Sequence, residues 1–181
     1  MDIWADFYMK IFNFHEIRFF NIQGSITGLI SRALSSPCGN INIPLNEATD
    51  NDSQIEEFIR EFHGEGIQHI ALGTDDIYQS IEALRENSIN FLDVPDTYYE
   101  DIDKRIPWQQ EDIPRLQHNK ILIDGGRSTD DGLLLQIFTE NMFGPEFFEI
   151  IQRKGNEGFG EGNFQALFDA IERDQVRRGV L

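Results

Sequence analysis

The stretch GPEFFEIIQRKGNEGFGEGNF, Gly144–Phe164, sets one carboxylate, Glu149, inside an apolar run with strand character. An isolated carboxylate taken out of water costs several kcal/mol unless it is paired or holds a metal. Glu149 therefore belongs either on the solvent face of an edge strand or in a site that needs its charge. The run gives way to a glycine-rich stretch and then to a segment with Phe164, Leu167, Phe168 and Ile171 at helical spacing. A strand leading through a glycine hinge to a lid helix, from about residue 163 to 175, is the expectation.

Working back from this strand, Leu133–Thr139 and Lys120–Asp124 read as two more strands, and Pro95–Leu116 as a long, polar, irregular excursion. Phe91–Val94 reads as a short strand. Before it stand a helix over 75–87, capped by Thr74, and a strand Gly66–Leu72. The order is strand, helix, three strands. The first part of the chain repeats it without the leading strand. A helix over 2–12 carries Ile3, Trp4, Phe7, Tyr8, Ile11 and Phe12 on one face, with Asp2 as its N-cap. Strands His15–Ile22, Leu29–Ser35 and Asn40–Leu45 follow. A second helix then starts at a Ser53/Glu56 capping box and ends at Gly64. Two related units are expected: residues 1–62, with the connecting helix, and residues 63–181, together forming one catalytic domain. The helix opens almost at the first residue, so a leading strand is expected upstream of it.

Composition narrows the function. The net charge of −17 sets the chain against nucleic acid and anionic membrane surfaces as partners. A single cysteine, Cys38, allows no intrachain disulfide, which fits a reducing, cytoplasmic setting. No apolar run is long enough to span a bilayer. Fifteen phenylalanines suit either an aromatic-lined cavity or an ordinary core, the core being the commoner case.

Of four histidines, His15, His63 and His118 sit beside charges or in loops and read as solvated. His69 lies mid-strand between apolar neighbours. It is either a core histidine bonded to backbone or a ligand. Alternation places Glu149 with Phe147 and Ile151, Gln136 with Leu134 and Phe138, and His69 with Ile67 and Ala71. Strands curling round one cavity would turn His69, Gln136 and Glu149 inward together. Imidazole and carboxylate ligands with open positions are the pattern of the facial triad of non-heme Fe(II) oxygenases.

Several segments resemble the 4-hydroxyphenylpyruvate dioxygenase family: GEGIQHIAL (64–72), LLLQIFTE (133–140), VPDTYYE (94–100) and FFEIIQRKGNEGFGEGNFQALF (147–168). SSPCGNINIPLNE (35–47), SQIEEF (53–58) and DQVRRGVL (174–181) do so too. The resemblance runs from about Trp4 to the last residue. It implies an α+β fold of the vicinal-oxygen-chelate (glyoxalase/dioxygenase-like) type, in which paired βαβββ modules form a half-open barrel around a metal. The chain resembles the catalytic C-terminal half of that family. It also implies Fe(II) as cofactor and 4-hydroxyphenylpyruvate and O2 as substrates. The reaction would be oxidative decarboxylation and ring hydroxylation to homogentisate, in tyrosine and phenylalanine catabolism. Homo-oligomers are a tendency of the family.

By motif, His69 and Glu149 match two of three iron ligands. The third, a histidine on the strand before the first helix, has no counterpart in this chain. Ser31, Asn46, Gln54, Gln68 and Gln136 match the polar substrate-orienting set, although alternation sets Gln68 on the face opposite His69. Phe138, Phe147, Phe159, Asn163, Phe164 and Leu167 match aromatic and lid positions. Two other readings stand beside this one: a hydroxymandelate synthase-like enzyme, and an inactive truncated module of the same fold.

Overall fold

In the computed structural model, residues 1–23, 28–49, 53–160, 162, 163, 165–167, 170, 173 and 177 are described. The chain divides into two compact units, Met1–Gly66 and Ile67–Leu181.

The second unit is built on strand β7 (Phe147–Lys154), which lies inside a four-stranded sheet. On one side β7 pairs in parallel with β4 (His69–Gly73). On the other it pairs antiparallel with β6 (Leu133–Phe138), and β6 pairs with β5 (Leu122–Gly125). Glu149 is thus on an interior strand, 7% exposed, which removes the edge-strand explanation for its charge. Between β4 and β5 runs helix α3 (Ile77–Glu86), giving the strand, helix, three-strand order. Its N-cap is Asp76, whose carboxylate accepts from the Gln79 N–H at 3.1 Å, rather than the expected Thr74. A carboxylate at that position satisfies an orphan donor and also favours the helix dipole. Ile77 and Ile81 of α3 pack with Ile123, Leu135, Ile137 and Ile150 in the core. The opposite sheet face carries His69, Gln136 and Glu149.

The expected strand at Phe91–Val94 reduces to a single bridge, Phe91 with Thr139, because Pro95 leads the chain away into a 3-10 turn, Asp96–Asp101. Residues 95–116 are not a polar excursion. They form that turn and helices α4 (Ile102–Arg105) and α5 (Ile113–Asn119), and they bury Tyr98, Tyr99, Ile102, Ile106 and Leu116. The Asp112 cap and Pro114 in the first turn of α5 are the signals that mark a helix start there. Beyond β7, residues 162, 163, 165–167, 170, 173 and 177 are helical.

The first unit holds a three-stranded antiparallel sheet, β1 (His15–Gln23), β2 (Gly28–Ser35) and β3 (Asn42–Ala48), in that order. Helix α1 (Asp2–Phe12) precedes it and α2 (Gln54–Phe62) follows. Asp2 is the first helical residue of α1 rather than its cap. Ser53 caps α2, its hydroxyl accepting from the Glu56 N–H at 3.3 Å. The helix ends one residue before the left-handed His63.

Phenylalanine is not the core residue its abundance led us to expect. Among the described residues the only buried one is Phe58, and the large, fully buried side chains are Leu, Ile and Tyr98. The other rings line surfaces and partly buried faces, where two flat sides and no polar group suit them to contact with another ring.

Two substitutions check this framework in urea denaturation. Ser53→Ala removes the α2 cap and is expected to cost about 1 kcal/mol. Gly132 has φ +67° and an added Cβ would stand 2.4 Å from the Gly155 backbone carbon. Gly132→Ala is therefore expected to lose at least about 1 kcal/mol, and an unchanged midpoint would refute this view of the β6 entry.

Candidate metal centre

Register brings the candidate ligands together. In the β4–β7 pairing His69 is opposite Phe147 and Ala71 opposite Glu149. In the β6–β7 pairing Phe138 is opposite Glu149 and Gln136 opposite Ile151. With a side-chain period of two, His69, Gln136, Phe138, Phe147 and Glu149 share one face.

The two oxygens of Glu149 differ. Oε1 accepts from Gln136 Nε2 at 2.6 Å, while Oε2 stands 3.7 Å from His69 Nε2. Burial raises the Glu149 carboxyl above its ordinary value, partly offset by the Gln136 bond and the Arg153 charge. Burial lowers the His69 imidazole below 6.5, so the ring is neutral at pH 7 and the contact is not an ion pair. The other ring nitrogen, Nδ1, lies 3.2 Å from Gln68 Oε1. An amide oxygen there accepts a hydrogen bond from Nδ1–H, which keeps the proton on Nδ1 and leaves Nε2 with a bare lone pair. Nε2 and Oε2 are then two acceptors facing each other beyond hydrogen-bond reach. A cation between them would satisfy both.

A nitrogen and an oxygen 3.7 Å apart are within reach of one ion, given bonds of about 2.0–2.2 Å. The donor types suit iron as well as other divalent metals. Among the described residues no group of three His, Cys, Asp or Glu side chains is placed to hold an ion.

Aromatic rings wall the pair. Phe147 stacks on the imidazole with centroids 5.0 Å apart and planes 12° apart, and Phe138 meets it edge-on at 6.4 Å. Gln68 comes just before β4, outside the alternation that had set it on the opposite face, and its side chain turns back to His69.

Gln136 and Asn163 also come together: Asn163 Nδ2 donates to Gln136 Oε1 at 2.6 Å. Gly160 makes room for them. It has φ +80°, and a Cβ there would lie 2.2 Å from Gln136 Oε1. Phe159 beside it is half-buried, and Leu167 packs against the core of the second unit. Phe164 lies outside the described residues. Ser31, Asn46 and Gln54 belong to the first unit. Ser31 and Asn46 are register partners across β2 and β3, Ser31 buried and Asn46 exposed, and Gln54 is the exposed first residue of α2. His15, His63 and His118 are exposed, as expected. The sequence reading missed Tyr98, whose hydroxyl lies 2.6 Å from Asn163 Oδ1. The sequence signal was the tyrosine pair 98–99 within VPDTYYE, three residues after Pro95, in a segment that read as polar.

Comparison with known proteins gives the family. The chain is 70% identical over its whole length to a 4-hydroxyphenylpyruvate dioxygenase of Legionella pneumophila (strain Corby), and covers 52% of that protein. It is 61% identical, again over its whole length, to a 4-hydroxyphenylpyruvate dioxygenase of Pseudomonas aeruginosa, covering 50% of it. Among solved structures, a triple mutant of 4-hydroxymandelate synthase from Streptomyces coelicolor matches with a TM-score of 0.76 at 30% identity, over 94% of this chain and 49% of the other. The chain spans about half the length of the curated relatives it matches. Among the described residues no helix is long and apolar enough to cross a membrane. The profile of the Glyoxalase/Bleomycin resistance protein/Dioxygenase superfamily matches residues 1–102, more than half of the chain. By that match, and with mixed α/β units and two open sheets, the chain belongs to that superfamily.

Proposed function

We propose that this chain is the catalytic part of a 4-hydroxyphenylpyruvate dioxygenase, its two units acting as one domain. The substrates are 4-hydroxyphenylpyruvate and O2, the product is homogentisate, and the setting is cytoplasmic tyrosine and phenylalanine catabolism by a homo-oligomer. The observation that carries this reading is the pair of facing acceptors, half-buried His69 Nε2 on β4 and buried Glu149 Oε2 on the neighbouring interior strand β7, 3.7 Å apart on one sheet face. The names of relatives at 61–70% identity support the choice of reaction.

In this reading His69 and Glu149 hold Fe(II), which supplies the chelation of the 2-oxo acid and the activation of dioxygen. The rest of the work falls to the chain. Gln136 ties down one carboxylate oxygen and thereby aims the other. Gln68 fixes the imidazole tautomer, a role that outer partners of metal-bound histidines commonly fill. Phe138 and Phe147 offer ring faces to the aromatic substrate, at about 0.5–1.5 kcal/mol for a good pair, and keep water from the donors. By the family resemblance Phe159, Phe164 and Leu167 add apolar contacts to the substrate. Asn163 orients the substrate without adding charge, and the family resemblance gives Ser31, Asn46 and Gln54 of the first unit a substrate-orienting role. The net charge of −17 leaves nucleic acid and anionic membrane outside the partner list.

The test is an anaerobic Co(II) titration followed by visible absorption. Binding at one equivalent that Glu149→Ala or His69→Ala weakens at least about 100-fold is expected. Equal binding by all three proteins would overturn the metal assignment. Turnover of 4-hydroxyphenylpyruvate then identifies the product, homogentisate in this reading and hydroxymandelate in the rival one.

A second outcome needs no metal. Because burial raises the Glu149 pKa, the folded protein holds this proton more tightly than the unfolded chain does. The stability this contributes is fully present below the unfolded value of about 4.5 and is lost as pH rises through the folded value. Metal-free Glu149→Gln keeps an acceptor for Gln136 without the charge. It should be more stable than the parent at pH 7, by about 1 kcal/mol or more, with the gap closing towards pH 4. Urea melts at the two pH values decide this, and a gap that widens on acidification would refute it.

A further inference from the structure

We infer that Tyr98 is a positioning residue for Glu149, acting through a chain of three hydrogen bonds that runs in one direction. This rests on the reading of Glu149 as a site carboxylate. Tyr98 sits in the 3-10 turn, 1% exposed, away from the ligand pair. Its hydroxyl oxygen accepts from the Ile123 N–H at 2.9 Å. Its one proton has two oxygens in reach: the Ile123 carbonyl at 3.0 Å and Asn163 Oδ1 at 2.6 Å. The shorter contact takes it. Asn163 Nδ2 then donates to Gln136 Oε1 at 2.6 Å, and Gln136 Nε2 to Glu149 Oε1 at 2.6 Å.

The direction matters because a primary amide can be turned over at little cost unless its neighbours are one-sided. Two amides in series between two-sided groups could run either way. Here both ends favour one direction. Ionised Glu149 only accepts. Tyr98 holds a single proton, and the shorter of its two acceptor contacts gives that proton to Asn163 Oδ1, so it meets Asn163 as the donor. Reversing the amides would set Gln136 Oε1 against a carboxylate. With Tyr98 in place Gln136 presents its NH2 group to Glu149, so Oε1 is occupied and Oε2 is the oxygen left for His69. Gly160 helps: with no Cβ it lets the Gln136 amide lie against the backbone.

The turn bearing Tyr98 also fastens the terminal helix independently, through Thr97 Oγ1, which donates to the Ala170 carbonyl at 2.6 Å. That bond supplies the control. Tyr98→Phe removes the hydroxyl relay, and Thr97→Val removes a clamp of like burial next to it. The first readout uses metal-free protein and follows solvent exchange of the Gln136 side-chain amide protons by NMR. Tyr98→Phe should speed this exchange at least about tenfold, while Thr97→Val lowers Tm and leaves it unchanged. Equal exchange in Tyr98→Phe and parent overturns the inference, and so does an equal effect of Thr97→Val.

Should Tyr98→Phe fail to fold, the double variant Tyr98→Phe/Asn163→Leu replaces both partners by apolar groups. Measured against Asn163→Leu alone, it should show no further change, since Tyr98 acts through Asn163. A further change would overturn the inference. Co(II) titration adds the second readout, with Tyr98→Phe expected to weaken binding about three- to tenfold and Thr97→Val not at all. Co(II) binding indifferent to Glu149→Ala would defeat the metal reading alone, since the amide exchange is read without metal.

Discussion

The second unit depends on the bond between Gln136 and Glu149. It joins the two strands at the middle of the sheet and keeps a carboxylate in place where water is largely excluded. An amide can do this without neutralising the charge, as an arginine would, and without taking the proton, as a histidine could. The cost of holding a carboxylate there is substantial, and the fold does not lower it by opening the strand to solvent. Glu149 is on an interior strand with neighbours on both sides, so its exposure cannot grow without breaking the sheet.

The environment of this bond is divided by sheet face. One face is aliphatic, filled by α3 and by isoleucines and leucines of β5, β6 and β7. The other holds the polar groups among phenylalanines. This division explains the odd distribution of aromatic residues. Branched aliphatic chains interlock to make the core, while the flat rings of Phe138 and Phe147 stand beside His69, where contact with a ring is the useful property.

Much of this was legible in the sequence. FFEII announces itself because period-two alternation and a buried charge conflict, and such conflicts mark sites. His69 follows from the same alternation, and the repeated order of helix and strands gives the architecture. What alternation cannot show is geometry set by turns. Gln68 reaches His69 because it precedes the strand, where the period no longer applies. Residues 95–116 looked polar because their elements are short, with charges outside and Tyr98, Ile102 and Leu116 inside, and a pattern that short gives no period to count. The strand at 91–94 failed for the opposite reason. Its apolar residues are real, but Pro95 ends the pairing after one bridge. Asp2 shows the limit of cap signals, since a helix start moved by one residue turns a cap into a first-turn charge.

The parallel pairing of β4 with β7 has a consequence for how the chain acquires its ligand pair. These are the first and last strands of the second unit, so the whole connection between them must be traversed before His69 and Glu149 can meet. Long-range parallel contacts of this kind form slowly, because chain entropy is lost before the contacts compensate. During synthesis His69 emerges early and waits as a lone imidazole, and the carboxylate arrives only with the closing strand. With His69 and Glu149 as the proposed ligands, a half-made unit would have no chelating pair with which to capture stray metal, and the capacity to bind an ion would arise together with the completed sheet.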